Sequence, residues 1–203
     1  MTLDEEKDLL NEIRESPGAF GVLFDLYYKG IFGYVFRRLA DYDLARDVAS
    51  ETFLKAFTGI GRFRQQGISI SFWLYRIATN EINAHFRKLP LAPFSLNSLL
   101  EQGIDLVPRT EALEEREALE YELARHEEYR SVLHELRKMP IRYQEVIALR
   151  YFERKSIKDI GEILGKREGT VKSLLFRGIE KLRRTLAPDT QLRPRPESEG
   201  QHE

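Results

Sequence analysis

Three apolar stripes of helical period constrain this chain more than anything else in it. From Ala19 to Leu39 the side chains Phe20, Leu23, Phe24, Tyr27, Ile31, Val35 and Leu39 recur every three or four residues, the spacing that gathers them on one side of a 3.6-residue helix. Ser16 stands where a cap belongs and Pro17 where a first turn opens, because proline's missing N–H is one of those a helix start leaves unpaired anyway. From Asp43 to Phe57 a second stripe runs through Ala45, Val48, Ala49, Thr52, Phe53, Ala56 and Phe57, ended by the glycines of "TGIGRF". From Ser71 to Lys88 a third passes through Leu74, Ile77, Ala78 and Ile82, and the prolines of "LPLAPF" stop it, since proline cannot donate to the helix ladder. The expected fold class is all-α.

The last apolar-patterned stretch, "SIKDIGEILGKREGTVKSLLFRGIEKLRRTL" from residue 156 to 186, reads as two helices around a turn. Ser156 and Asp159 make a capping box, and Gly165 sits where a left-handed residue closes the first helix. Beyond it Val171, Leu174, Leu175, Ile179, Leu182 and Leu186 form a core stripe, opposite Lys172, Ser173, Phe176, Arg177, Glu180, Arg183 and Arg184. This is the pattern of a helix-turn-helix, whose second helix offers its N-terminal side chains to the major groove. Lys172 and Arg177 suit phosphates or guanine edges, Ser173 suits either, and Phe176 is an aromatic on a face that is otherwise polar. An amphipathic helical hairpin in any bundle shares the stripe.

Between these regions the helical run Glu111 to Met139 is acidic at first and gains apolar spacing only near Val132, Leu133 and Leu136. Residues 89–127 are therefore expected to be an acidic linker with partial helix. The tail 188–203 has three prolines and no apolar period, so disorder is expected there. The organisation that follows is a helical domain over 1–88, the linker over 89–127, a second helical domain carrying the helix-turn-helix over 128–187, and the tail.

Composition removes several function classes. With no cysteine among 203 residues, disulfides, thiolate metal sites and cysteine nucleophiles are excluded. The histidines His85, His126, His134 and His202 are scattered without ligand-spaced carboxylates, so no metal site and no cofactor are expected. No nucleophile elbow or phosphate loop is present, which leaves no support for an enzyme. No run approaches the length of a membrane span, and the acidic "MTLDEEKDLLNEIRESPG" is unlike a secretory signal, so a cytoplasmic protein is expected. The formal net charge of -1 conceals a segregation. Residues 101–128 carry ten acids against three bases, whereas 156–186 carry eight bases against four acids and 62–88 five against one. Two basic islands about an acidic bridge suggest two contacts with a polyanion.

The third stripe's helix supplies a face for the second contact. Trp73, Arg76, Asn80, Asn83 and Arg87 are spaced by three, four, three and four, so one helical side carries the only tryptophan, two guanidiniums and two amides. Such a set suits unstacked bases and a phosphate backbone. A tryptophan half buried at a helix end, with incidental polar neighbours, has the same spacing.

"DLARDVASETFLKAF", "FWLYRIATNEINAHFRK" and, after the linker, "LHELRKMPIRYQEVIALRYFERKSIKDIGEILGKREGTVKSLLFRGIEKLRRTL" together resemble a bacterial extracytoplasmic-function sigma factor. The resemblance covers about residues 19–88 and 128–186, in the order of that family's second and fourth regions. The family's third region is missing, and the acidic linker takes its place. Ser50, Ile70, Arg167, Leu174 and Gly178 depart from residues frequent in the family. The resemblance implies a dissociable initiation subunit whose partners are core RNA polymerase, through the β′ clamp helices and the β flap, promoter DNA, and an anti-sigma factor. It places polymerase binding on Asp47, Ser50, Glu51 and Leu54. It sets Asn80 against base edges of the minus-ten element, Trp73 near the junction where strands separate, and Arg76 and Arg87 on phosphates. The loop "RQQGISIS" would cradle a flipped base, and the basic last helix would enter the minus-thirty-five element. The alternative is a stand-alone helix-turn-helix regulator that binds duplex DNA as a dimer, with residues 1–88 as a dimerisation or sensor domain.

Overall fold

The computed structural model describes residues 1–65, 67–88 and 127–186, and all regular structure among them is helical. The linker expected over 89–127, apart from Glu127, and the tail expected over 188–203 lie outside the described residues.

The acidic N-terminus is itself a helix, which the stripes do not announce. Helix α1, Leu3–Glu15, starts with a capping box between Thr2 and Glu5 and carries Asp4, Glu5 and Glu6 in its first turn, where acids complement the helix dipole. It buries Leu9, Leu10 and Ile13. Pro17–Ala19 then forms a separate 3-10 turn, so α2 runs Phe20–Leu39 and the Ser16 hydroxyl caps nothing. Proline does open a helical turn here, a 3-10 turn that runs straight into α2 at Phe20. Helix α3, Tyr42–Gly59, is capped by Asp41, whose carboxylate accepts the Leu44 N–H at 2.9 Å. Helix α4 spans Ile70–Lys88. Leu23, Ile31, Val35 and Leu39 of α2, Ala45, Val48, Phe53 and Ala56 of α3, and Leu74, Ala78 and Ile82 of α4 meet in the core of this half. The alanines on α3 and α4 bring the helix axes close. Phe57, on the stripe expected to be buried, is 43% exposed, its ring set edge-on to Phe20 at the start of α2 with centroids 5.1 Å apart.

The second half comprises α5 (Glu127–Lys138), α6 (Ile141–Ile147), a π turn over Ala148–Phe152 that continues α6, α7 (Ile157–Leu164) and α8 (Glu168–Leu186). Buried Gln144 donates to the Arg137 and Met139 carbonyls at 2.9 and 2.8 Å, pairing backbone acceptors that the end of α5 leaves orphaned. Helix α8 packs across α5, α6 and α7. Its buried Gly178 lies where an added Cβ would come 3.0 Å from Ile147 Cδ1. Read from sequence, this glycine is only a loss of helix propensity; in the fold it lies in contact distance of side chains on α6.

The two halves pack together. Helix α2 touches α5 and the π turn, and α4 touches α7, so the buried residues of both halves form one cluster.

Candidate nucleic-acid interface

The helix-turn-helix is built from backbone upward. Ser156 and Asp159 exchange hydrogen bonds at 2.9 and 3.1 Å, and Gly165 closes α7 at φ 63°, a region that glycine enters without penalty. A second glycine is as necessary. A Cβ on Gly161 would lie 2.7 Å from the Lys166 carbonyl oxygen, and the Gly161 carbonyl accepts the Lys166 N–H at 2.9 Å. The turn therefore folds back onto α7 at a point where only glycine fits. Val171, Leu175 and Leu182 are buried, Leu174 and Ile179 half-buried, and Leu186 is exposed at the helix end. Lys172, Ser173, Phe176 and Arg177 all stand on the outer side, and Phe176 is 74% exposed, more than any other large apolar side chain among the described residues.

Helix α4 is arranged differently along its length. Trp73 is half-buried, tilted against Phe63 with ring centroids 4.8 Å apart and with Gly59 beneath its ring edge. A pocket of about 390 Å³ opens beside it, with Arg62, Arg64 and Arg76 around an otherwise apolar lining. Asn80 and Arg87 are exposed, whereas Asn83 is half-buried. Asn83 Oδ1 accepts from the fully buried Arg38 at 3.1 Å, and Arg38 also donates to Tyr34 Oη at 3.2 Å. Asn83 is thereby tied to the core of the first half, a role its helical position does not reveal.

Arg76 and its neighbours also meet the second half. Arg76 Nε donates to the Ile163 carbonyl at 3.0 Å and its Nη2 to the Glu162 carbonyl, so a guanidinium caps the acceptor end of α7, a favourable placement for positive charge. Beside it, Glu153 accepts from Arg37 at 2.9 Å and from the Tyr75 hydroxyl at 2.6 Å. Lys155 Nζ lies 4.8 Å from the Tyr75 ring centroid. Burial raises the Glu153 carboxyl above its ordinary range, opposed by the Tyr75 hydrogen bond and the Arg37 charge. Burial also lowers Lys155. Nothing in the sequence pairs position 37 with 153, since the contact exists only once two separate helical units dock. A cleft of about 290 Å³ remains between α4 and α7, lined in part by Asn80, Asn83, Glu145 and Lys166.

The outward side of α3 presents Asp47, Ser50, Glu51 and Leu54, all exposed, with Leu54 at 56%. Glu51 pairs with Lys55 at 3.3 Å, and Lys55 reaches Glu81 of α4 at 2.5 Å. Phe57 and Phe24 are exposed on the same half at 43% and 36%.

Two helical units, one ending in a helix-turn-helix and the other carrying an aromatic, amide and guanidinium face, define a class: an all-α protein with a helix-turn-helix on one unit and a second polar, basic helix face on the other. Residues 23–89 match the family Sigma-70 region 2, and residues 129–182 match Sigma-70, region 4. The chain is 33% identical over 172 residues to the ECF RNA polymerase sigma factor SigW of Bacillus subtilis, which covers 83% of this chain and 89% of SigW. It is 30% identical over 173 residues to the ECF RNA polymerase sigma factor BldN of Streptomyces coelicolor, covering 85% of this chain and 62% of the longer BldN. The sigma factor RpoE of Bartonella quintana, solved in complex with the anti-sigma factor NepR, has the same fold, with a TM-score of 0.59 at 20% identity over 84% of this chain and 98% of that one. The chain belongs to the ECF family of RNA polymerase sigma factors, proteins that bind RNA polymerase and recognise promoters. Among the described residues no helix is long and apolar enough to cross a membrane.

Proposed function

We propose that this sigma factor divides its work as the two helical faces divide the chain. Residues 1–88 bind core polymerase through Asp47, Ser50, Glu51 and Leu54 and read the separated minus-ten strand through α4. There Asn80 meets base edges, Trp73 stands at the fork, and Arg76 and Arg87 hold phosphates, with Asn83 on the same DNA-binding face. Residues 128–187 place Lys172, Ser173, Phe176 and Arg177 of α8 in the major groove of the minus-thirty-five element. Residues 89–127 are an acidic connector between the two, and 188–203 a tail. The protein does no bond-making of its own and works in the cytoplasm, held in check by an anti-sigma factor, as RpoE of Bartonella quintana is bound by NepR.

The observation that supports this best is the exposed set Lys172, Ser173, Phe176 and Arg177, one turn beyond a helix-turn-helix turn with no room for a side chain at Gly161. Exposed apolar area beside carboxylates on α3 supports a protein-binding face, because large aromatic and leucine side chains left in water are stabilised by a partner. The double reversal Asp47→Lys with Glu51→Lys tests the polymerase surface. Glu51 contributes only an exposed ion pair with Lys55, worth at most about 1 kcal/mol, so helicity is expected to be unchanged while association with core polymerase in a titration is lost. Unaltered affinity would remove this surface from the proposal.

A further inference from the structure

The N-terminal helix lies outside the residues matched to either sigma region, and its contacts are concentrated at one place. Glu6 is 2% exposed, and its carboxylate accepts four hydrogen bonds. Oε1 takes the Ser69 hydroxyl at 2.6 Å and the Tyr27 hydroxyl at 3.0 Å; Oε2 takes the Ile70 N–H at 2.8 Å and Gln65 Nε2 at 3.2 Å. Three of these donors belong to the approach to α4, the fourth to α2. Two further bonds run from the same helix to the same stretch of chain: Arg14 Nη2 donates to the Phe63 carbonyl at 3.0 Å, and Gln65 Nε2 also reaches the Leu3 carbonyl at 3.2 Å. Burial, and next the Glu6 charge, push the Tyr27 hydroxyl up to about 12, so it remains a donor at neutral pH.

The chain held in this way is the rim of the pocket beside Trp73. Phe63, Arg64 and Ile68 line that pocket, and Gln65 and Ser69 sit in the same loop. A carboxylate removed from water is stable only when its lone pairs are satisfied. With four donors to satisfy, Glu6 has one geometry available, and the rim must adopt it. We infer that Glu6 is a positioning residue for this pocket: through Gln65, Ser69 and the Ile70 N–H it sets the shape of the rim, and so which unstacked base the pocket admits. This rests on the reading that α4 and its approach meet the separated promoter strand.

The test uses holoenzyme reconstituted from the full chain and core polymerase, initiating on duplex and premelted templates that carry each of the four bases at every minus-ten position. Three variants are compared with the native chain. Glu6→Gln removes the charge and keeps one acceptor oxygen for the Ile70 N–H and Gln65 Nε2, so that the Ser69 and Tyr27 hydroxyls must turn from donating to accepting. Ser69→Ala removes the hydroxyl that donates to Glu6, and with it the bonds to the Ser71 hydroxyl and N–H at 2.8 and 3.1 Å, and Ile68→Trp fills the pocket from its rim. The inference predicts that Glu6→Gln and Ser69→Ala flatten base preference about tenfold at one position, the same one that Ile68→Trp flattens, on premelted as well as duplex templates. If Ile68→Trp flattens that position and the other two do not, the role of Glu6 is overturned and the pocket reading stands. If Ile68→Trp changes no preference, the pocket reading itself falls. A uniform loss on all bases in Glu6→Gln, with a lowered melting temperature, makes Glu6 structural only and also overturns the inference. Should Glu6→Gln fail to fold, Ser69→Ala decides by the same outcomes.

Discussion

Arg177 and Lys172 stand on one helical face, and if Arg177 meets a base edge and Lys172 a phosphate, single substitutions separate them. A base contact in the major groove is worth about 1 to 3 kcal/mol and is specific to its base pair. Arg177→Ala should therefore weaken initiation from cognate upstream elements and relax the preference at one base pair. A phosphate contact carries no sequence information and releases a counterion. Lys172→Ala should weaken all sequences alike and lower the salt dependence by about one charge. Competition binding of holoenzyme across salt concentrations checks both, and identical profiles would show that the two contacts are wrongly sorted. The outward position of these side chains is legible in the sequence, because a 3.6-residue period assigns every residue of an amphipathic helix to a side. What period cannot give is a partner from a distant element. Asn83 has the spacing of the α4 face, but Arg38 holds its carbonyl oxygen. Trp73 has the same spacing, but Phe63 and Gly59 cover part of its ring.

Among the elements, the helix-turn-helix shows how two glycines in one motif do different work. At Gly161 a methyl group would meet backbone, the Lys166 carbonyl oxygen at 2.7 Å, which cannot move without opening the turn. Gly161→Ala is expected to destabilise the second domain by about 1 to 3 kcal/mol, the usual cost of forced overpacking. At Gly178 the nearest atom is Ile147 Cδ1, the mobile end of a side chain, and alanine gains about 1 kcal/mol of helix propensity. Gly178→Ala is expected to be nearly neutral. Urea unfolding of the two variants measures the contrast, and equal losses would contradict it. The sequence singles out Gly178 and passes over Gly161, since the need for a glycine there depends on which atoms a fold brings near. Caps were more legible: Ser156 with Asp159 is visible because both partners lie within one turn. The N-terminal helix was hidden for the converse reason, its buried residues being few and its acidic first turn resembling a solvated segment.

At the scale of the whole molecule, DNA binding by Arg76 requires the two halves to part. Arg76 is occupied by the end of α7 and cannot hold a phosphate while it caps that helix. Glu153, faced by Arg37, Tyr75 and Lys155, sits at the same junction. Its raised carboxyl gives the pH dependence a sign. The docked state binds a proton more readily than the separated one, so docking gains stability below the ordinary glutamate range and loses it as pH rises through the Glu153 value. Because the chain lacks cysteine, labels at Asp43→Cys and Lys181→Cys can report the distance between halves. Separation is expected to increase with pH through that window, and Glu153→Gln should abolish the slope; a slope that persists would place the titration elsewhere. Two helical domains were readable from stripes and prolines, but their docking was not, because it depends on single side chains meeting across units whose patterns are independent. The most direct measurement of the central claim is initiation by core polymerase and this chain on a library with a randomised promoter region. The account predicts enrichment of two separated elements, dependent on core polymerase, with Asn80→Ala altering only the downstream one and Arg177→Ala only the upstream one. Enrichment of a single palindromic duplex site, bound equally well without polymerase, would contradict it.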